Sequence, residues 1–343
     1  MRILVTGLGT YFGSKLAQVL EQEPNVELVV GLDTREPVLP LEHTEYVKAD
    51  SSFSIFERIV KATHVDTVLH THLVVDSTQA SGRALHEANV IGTMNLLAAA
   101  GAAGSTVRKV VMKSSTLGYG ANYTDPYFFR EGMARTRPPR TRVERSLLEV
   151  ADVVGDFAED SPHVTVTLLA FANILGEHLE SPIARMLRLP VVPEILGFDP
   201  RVQFVHEDDV IGALVYATLH DVPGVYNVAG EGTMPWSEVC ALVGKRRVPM
   251  PPFLTGLAAE PLRLARLVEL PPEVLALLRY GRGVDTSRYR EAGFGYEYTT
   301  AGAVDAFARG LRLQTTVGRP EYRYERDVEN FFRHSPAVVR DGS

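Results

Sequence analysis

The sequence has almost no cysteine. Cys240 stands alone, which excludes an internal disulfide and a cysteine-based zinc cluster. It also lacks any apolar run approaching the roughly 20 residues that a membrane span requires. The apolar opening, residues 2–6, is too short for a secretory signal and stops at a glycine turn. A cytoplasmic protein with no membrane partner is the expectation. There is no sustained basic stripe, and the formal charge is −7, so nucleic acid is not an expected partner. Internal repeats and low-complexity tracts are missing too. What is there is a 343-residue chain, 45% hydrophobic and 22% charged, long enough for one large core and a smaller lobe.

Strand-like and helix-like patterns alternate through the first half. Residues 3–5 read as a buried strand, followed by a helical stripe of Phe12, Leu16, Val19 and Leu20 that Pro24 ends. Residues 28–32 read as strand, 54–62 as helix, 67–70 as strand, 85–103 as a long helix and 109–112 as strand. Parallel strands need crossover helices, and strands covered on both faces read as continuous apolar runs. The pattern predicts an α/β fold, a doubly wound parallel sheet over residues 1–174. Residues 121–141 are polar and rich in Arg, Pro and Tyr, and read as loop before a helix at 142–157 and a strand at 164–171. Frequent prolines from residue 175 onward mark a smaller C-terminal substrate lobe, 175–202 and 229–314, rather than a second sheet. Short strands at 203–206 and 224–228 are expected to return to the main sheet, and 315–343 reads as a polar C-terminal extension.

The first strand runs into Thr6-Gly7-Leu8-Gly9-Thr10-Tyr11-Phe12-Gly13 and then directly into a helix. Glycines there let the backbone turn tightly and approach a pyrophosphate, whose charge sits at the helix N-terminus. That end effect is worth about 0.3–2 kcal/mol. Twenty residues after Gly13, Asp33 closes the second strand. A carboxylate at that place accepts from ribose hydroxyls and repels a 2′-phosphate, so NAD is expected in preference to NADP, with Arg35 close behind to soften the preference. The expected contacts are Gly7, Gly9, Thr10, Phe12, Gly13 and Asp33. Thr10 occupies the place of the middle glycine, and its Cβ weakens affinity unless the loop is reshaped.

Further blocks follow in order: Val47-Lys-Ala-Asp50, Val65-Asp-Thr-Val-Leu-His70, Asn89-Val-Ile-Gly-Thr-Met-Asn-Leu-Leu97 and Ser114-Ser-Thr-Leu-Gly-Tyr-Gly120. Phe171-Ala-Asn-Ile-Leu-Gly176, Phe204-Val-His-Glu-Asp-Asp209 and Tyr226-Asn-Val-Ala-Gly230 complete the series. In this order and spacing the chain resembles the extended short-chain dehydrogenase/reductase superfamily over roughly residues 1–310. The branch is that of NAD-dependent epimerases and dehydratases, typified by UDP-galactose 4-epimerase. The resemblance implies a Rossmann dinucleotide site in which Asp50 meets the adenine amino group and Ser51 and His70 join the cofactor contacts. It also implies that Asn89 stabilises the sheet and the active-site region and that Ser114 lines the nicotinamide pocket. Ser115 would hydrogen-bond the reacting hydroxyl, and Asn173 would touch a nucleotide sugar. A small-molecule substrate and a homodimer built on the helices at 85–103 and 142–157 belong to the same implication. Val143, Leu147, Val150 and Val154 suit that dimer surface, and equally suit packing on the sheet. Plainer readings stand beside these roles: Asp50 as a solvated strand-end acid, Asn89 as a helix-surface amide, and the two serines as partners of strand-end backbone. His70, His72 and His206 lie on different elements without ligand spacing, so no metal is expected.

The chain departs from the superfamily at its acid/base pair, a Tyr-x-x-x-Lys on one face of the helix that follows the Tyr119 region. There the sequence gives Val143/Leu147 or Glu144/Leu148, according to register. No tyrosine lies between Tyr127 and Tyr216, and no lysine between Lys113 and Lys245. Glu144 acting with Ser115 is the candidate substitute. Arg130, Arg135, Arg137, Arg140, Arg142 and Arg145 crowd the same segment, as a solvated basic loop or as a phosphate-binding lip. The functions left open are an epimerase or dehydratase with non-standard acid/base residues acting on a nucleotide sugar or related hydroxylated compound, a reductase of a small carbonyl, and a catalytically inactive NAD-binding sensor or assembly protein.

Overall fold

The computed structural model describes residues 1–78, 80–179, 181–252 and 270–317. Buried and mostly apolar residues make up β1 (Arg2–Thr6), β2 (Leu28–Asp33), β4 (Thr67–His70), β5 (Lys109–Ser115) and β6 (Thr165–Phe171), as strands covered on both faces require. With β3 (Glu45–Lys48) and a late strand, Gly224–Val228, they form one seven-stranded sheet. Every pairing in it is parallel. From one edge the order is Gly224–Val228, β6, β5, β4, β1, β2, β3.

Alternate residues of each strand feed two cores. Ile3, Val5, Val111 and Leu169 pack against α1 (Tyr11–Leu20) and the helix Glu207–Leu219, through Leu16, Leu20, Val210 and Leu214. Leu4, Val68, Val110 and Met112 pack on the other face against α2 (Phe53–Thr63), α4 (Gly92–Ala100) and α5 (Arg142–Asp160), through Phe56, Leu96 and Val150. Each such aliphatic side chain contributes about 1.5–3 kcal/mol when fully buried. Val143, Leu147, Val150 and Val154 of α5 are at most 4% exposed, so packing within the chain occupies all four.

The long helix expected at 85–103 is three segments: α3 (Gly82–His86), a π-helical turn (Glu87–Ile91) and α4. The extra residue of the π turn buries Asn89 completely. Its Nδ2 donates to the Val74 carbonyl (2.8 Å) and to Ser146 Oγ (3.1 Å), and its Oδ1 accepts from the Val74 N–H at 2.8 Å. One amide thus ties the segment after β4 to the first turns of α5.

The remaining elements form the smaller region beyond the strands' C-terminal ends. β7 (Asn173–Leu175) pairs with β10 (Phe204–His206), β8 (Val191–Ile195) with β13 (Arg246–Met250), and β9 (Arg201–Val202) with β12 (Met234–Pro235). The Gly224–Val228 strand, β11, joins the main sheet, whereas residues 204–206 pair outside it because β7 has already left the sheet after Phe171. These ribbons enclose a third core with α6 (Pro182–Arg188), α8 (Trp236–Val243), α9 (Pro272–Tyr280) and α11 (Thr300–Val317). The helix Glu207–Leu219 is α7, and Ser287–Glu291 is α10. Residues 315–317 finish α11; the rest of the polar extension expected at 315–343, and residues 253–269 of the lobe, lie outside the described residues. No helix of the described residues is long and apolar enough to cross a membrane. Asn89→Ala leaves both polar groups of Val74 without their partner, and the expected loss is about 1–3 kcal/mol in denaturant unfolding.

Candidate active site

Gly7 takes φ +81°, and a Cβ there would stand 2.8 Å from the His72 backbone nitrogen. A Cβ on Gly13 would fall inside the van der Waals envelope of the Gly7 carbonyl, so the helix can begin beneath the loop only with glycine at that position. Thr10 is the N-cap of α1: its Oγ1 accepts from Gly13 N–H (3.2 Å) and donates to the Gly7 carbonyl at 2.7 Å. The threonine therefore reshapes the turn around its own hydroxyl. Asp33 is 4% exposed at the end of β2 and accepts from Gly9 N–H (3.0 Å) and Arg35 N–H (2.9 Å). Two oxygens with two backbone donors leave lone pairs for further hydroxyl donors. His72 Nδ1 lies 3.9 Å from Asp33 Oδ2. Burial pulls the His72 ring below the usual histidine range, and Asp33 offsets this only in part.

The other residues expected on the cofactor side are placed as follows. Phe12 is buried at the start of α1. Asp50 is exposed and accepts from Ser52 N–H at 3.1 Å, and the carbonyl of the neighbouring Ser51 accepts from Asn95 Nδ2. His70 is 3% exposed, with Nδ1 2.6 Å from Thr6 Oγ1 and Nε2 3.3 Å from Thr93 Oγ1. Burial holds it neutral, with its pKa lowered to about 3.

A cavity of about 80 Å³ opens at the C-terminal ends of β5 and β6. Ser114, Ser115 and Asn173 line it together. Ser115 Oγ accepts from Leu117 N–H (3.2 Å), and Asn173 Nδ2 donates to the Gln203 carbonyl at 3.0 Å. Three further polar residues line the cavity that sequence reasoning did not single out, Ser181 and two charged ones, Lys113 of β5 and Glu273 of α9. The signal for Lys113 was a charge interrupting an apolar strand; Glu273 carries no local signal, since only tertiary packing brings α9 to this place.

Glu144 is elsewhere. It lines a separate small cavity with Tyr119, Arg135 and Arg140. Its Oε2 accepts from Arg135 Nη2 (2.7 Å) and from the Arg140 N–H at 2.9 Å, and Arg135 also donates to the Gly118 carbonyl. Of the arginines in this segment, Arg135 is thus a nearly buried tie, while Arg130 pairs with Asp285 at the surface. The part of α5 facing the turn after Ser115 is hydrocarbon: Val143 and Leu147 cluster with Leu85, Leu73, Val74, Val75 and Leu117. Tyr119 donates to Asn227 Oδ1 at 3.0 Å and stacks on Phe129. Gly13→Ala is expected to reduce dinucleotide affinity at least about tenfold in calorimetric titration, because the Cβ forces the phosphate loop off the helix end.

A family model described as the NAD dependent epimerase/dehydratase family matches residues 3–229. Uncharacterized protein Rv0501 of Mycobacterium tuberculosis (strain ATCC 25618 / H37Rv) is 33% identical over 321 residues, covering 92% of this chain and 85% of that protein. Among solved structures, UDP-glucose 4-epimerase of Thermotoga maritima with UDP-glucose is similar with a TM-score of 0.69 at 18% identity, over 92% of this chain and 100% of the other. UDP-glucuronic acid 4-epimerase from Bacillus cereus in complex with NAD gives 0.68 at 15% identity, over 91% and 97%. At such identities the structures establish the fold. The matched sequence takes in every strand of the main sheet and the loops that carry Gly7, Asp33, Ser115 and Asn173. The chain belongs to the NAD dependent epimerase/dehydratase family.

Proposed function

We propose that this protein binds NAD across the β1–α1 turn and reversibly oxidises a hydroxyl-bearing carbon of a nucleotide sugar held in the neighbouring cavity. The observation that carries this reading is the placement of a phosphate loop with an acidic partner, Gly7–Gly13 and Asp33, on the same sheet edge as the cavity of Ser115 and Asn173. The loop fits the dinucleotide: glycine is required where a Cβ would meet backbone, and Asp33 keeps acceptor capacity for ribose hydroxyls. Bound NAD supplies a hydride acceptor and, in the return step, a donor. The names of similar structures, UDP-sugar epimerases holding NAD or UDP-glucose, support the substrate class.

In this reading Asp33 selects NAD over NADP, Ser115 Oγ holds the reacting hydroxyl, and Asn173 orients the sugar or its phosphates. Glu144 keeps residues 121–141 folded against α5 through Arg135. The group that exchanges the substrate proton comes from the strand side of the cavity, because α5 offers hydrocarbon there. That hydrocarbon also favours a second reading, a protein that holds the dinucleotide without turnover. A homodimer on residues 85–103 and 142–157 would have Ile91 of the π turn and Met94 of α4, 41% and 46% exposed, as apolar contacts.

Incubation with NAD and a panel of UDP-hexoses, followed by anion-exchange chromatography, separates the two. Interconversion of UDP-glucose and UDP-galactose is expected, as is NAD binding at least about tenfold tighter than NADP. Tight NAD binding with no product across the panel would sink the catalytic reading and leave the second.

A further inference from the structure

Two lysines stand on β5, and both are buried, 8% exposed at Lys109 and 9% at Lys113. Lys109 shows what a structural buried amine requires. Its Nζ donates to the carbonyls of Thr218 and His220, both at 3.1 Å, and pairs with Asp221 at 2.8 Å. Lys113 has none of this. Among the described residues its Nζ makes no hydrogen bond or ion pair; its neighbours are the face of Phe12, 5.2 Å from the ring centroid, and the His72 ring, whose pKa the amine helps to lower. An amine removed from water without a partner destabilises the fold, so its retention calls for a partner that arrives from outside the chain.

The position suggests that partner. Lys113 and Ser115 are two residues apart on one strand, so both project from the same sheet face, about 7 Å apart along it. Both line the cavity at the strand's C-terminal end. Phe12 lies in the first turn of α1, within the glycine loop's span, so the amine stands between that loop and Ser115. Across the cavity Glu273 is 4% exposed; its Oε2 accepts from Ser77 Oγ at 3.1 Å, and its Oε1 has no hydrogen-bond partner among the described residues. A cavity with an unpaired amine on one wall and an unpaired carboxylate oxygen on the other is suited to a ligand carrying several hydroxyls.

We propose that Lys113 is the catalytic acid/base, exchanging a proton with the substrate hydroxyl held by Ser115, while Glu273 accepts a second hydroxyl of the same sugar ring. The assignment rests on the NAD-dependent oxidation proposed above. In the forward step the O–H bond breaks and its proton passes to the neutral amine of Lys113. The C–H bond breaks with it, its electron pair leaving as hydride to the dinucleotide, and the carbon becomes a ketone. The return step gives both back, to either face of the carbonyl. Burial lowers the Lys113 amine from an ordinary 10.5 to about 8, which supplies a neutral fraction near neutral pH. The unfolded chain binds this proton more tightly than the folded one. Stability therefore rises as pH climbs from about 8 to about 10.5, and below that window the full cost is present.

The test compares full-length wild type, Lys113→Met and Lys113→Arg for NAD binding by calorimetry, thermal unfolding, and UDP-glucose turnover from well below to well above pH 8. Lys113→Met is expected to hold NAD within about threefold of wild type, to unfold no earlier, and to lose at least about a hundredfold in kcat. Lys113→Arg keeps the charge but cannot release a proton, and is expected to be equally slow. A Met variant within threefold of the wild-type kcat overturns the proposal, as does an Arg variant with the wild-type rate, which would reduce the role to charge alone. Acetic anhydride labelling read by peptide mass spectrometry supplies a readout independent of turnover. Lys113 should acetylate with a midpoint near pH 8 and be shielded by UDP-glucose with NAD. An ordinary lysine midpoint, or no shielding, overturns the assignment. A wild type that binds NAD yet converts no UDP-hexose removes the proposed function and this role together, whereas active wild type with active Lys113→Met removes this role alone.

Discussion

Parallel pairing is the constraint on which the rest of the molecule depends. Because β1, β2, β4, β5 and β6 all run one way, their C-terminal ends share one edge of the sheet. With neighbours about 4.8 Å apart, β2 to β6 span roughly 20 Å of that edge. Along it stand the Asp33 carboxylate, the Gly7–Gly13 turn, His72, Lys113 to Ser115 and Phe171 to Asn173, each from a different part of the chain. The crossover helices that parallel strands require occupy both faces, which leaves this edge as the place where polar groups can meet a ligand.

The buried polar groups divide according to whether the chain itself satisfies them. His70 is held by Thr6 and Thr93, Asn89 by Val74 and Ser146, Glu144 by Arg135 and the Arg140 amide, and Lys109 by two carbonyls and Asp221. Each joins segments distant in sequence or stiffens a loop. Lys113 and Glu273 break this pattern, and they break it in the same cavity. An unsatisfied polar atom away from water costs stability, as at Glu273 Oε1, and a desolvated amine such as Lys113 adds to that cost in the same space. Of the apolar cluster of Val143, Leu147 and Leu117, the leucine at 117 lines that space, with the two α5 side chains packed behind it.

The strands at 3–5, 28–32, 67–70, 109–112 and 164–171 were legible because a strand covered on both faces announces itself as an apolar run. β3 was not, because three of its four residues are exposed and Glu45-Tyr-Val-Lys48 offers no such run. The π turn inside the helix at 85–103 was equally invisible: one added residue changes which side chain points inward without changing composition. The return of residues 224–228 to the main sheet was expected, whereas 204–206 pair with β7, since the place where one strand leaves a sheet is settled by its neighbours.

Fold class follows from patterns of period 2 or 3.6, the turn after β1 from glycines at fixed offsets, and the family from a resemblance carried by short ordered blocks, all of them local properties of the chain. Partner choice is not local. Lys109 finds its acceptors more than a hundred residues away, and Lys113, the same residue type on the same strand, finds none among the described residues. Glu144, a candidate base by register alone, is engaged by an arginine that the loop folds back onto it. The energetics of a buried charge depend on which groups surround it in space, and only the packed tertiary structure decides that.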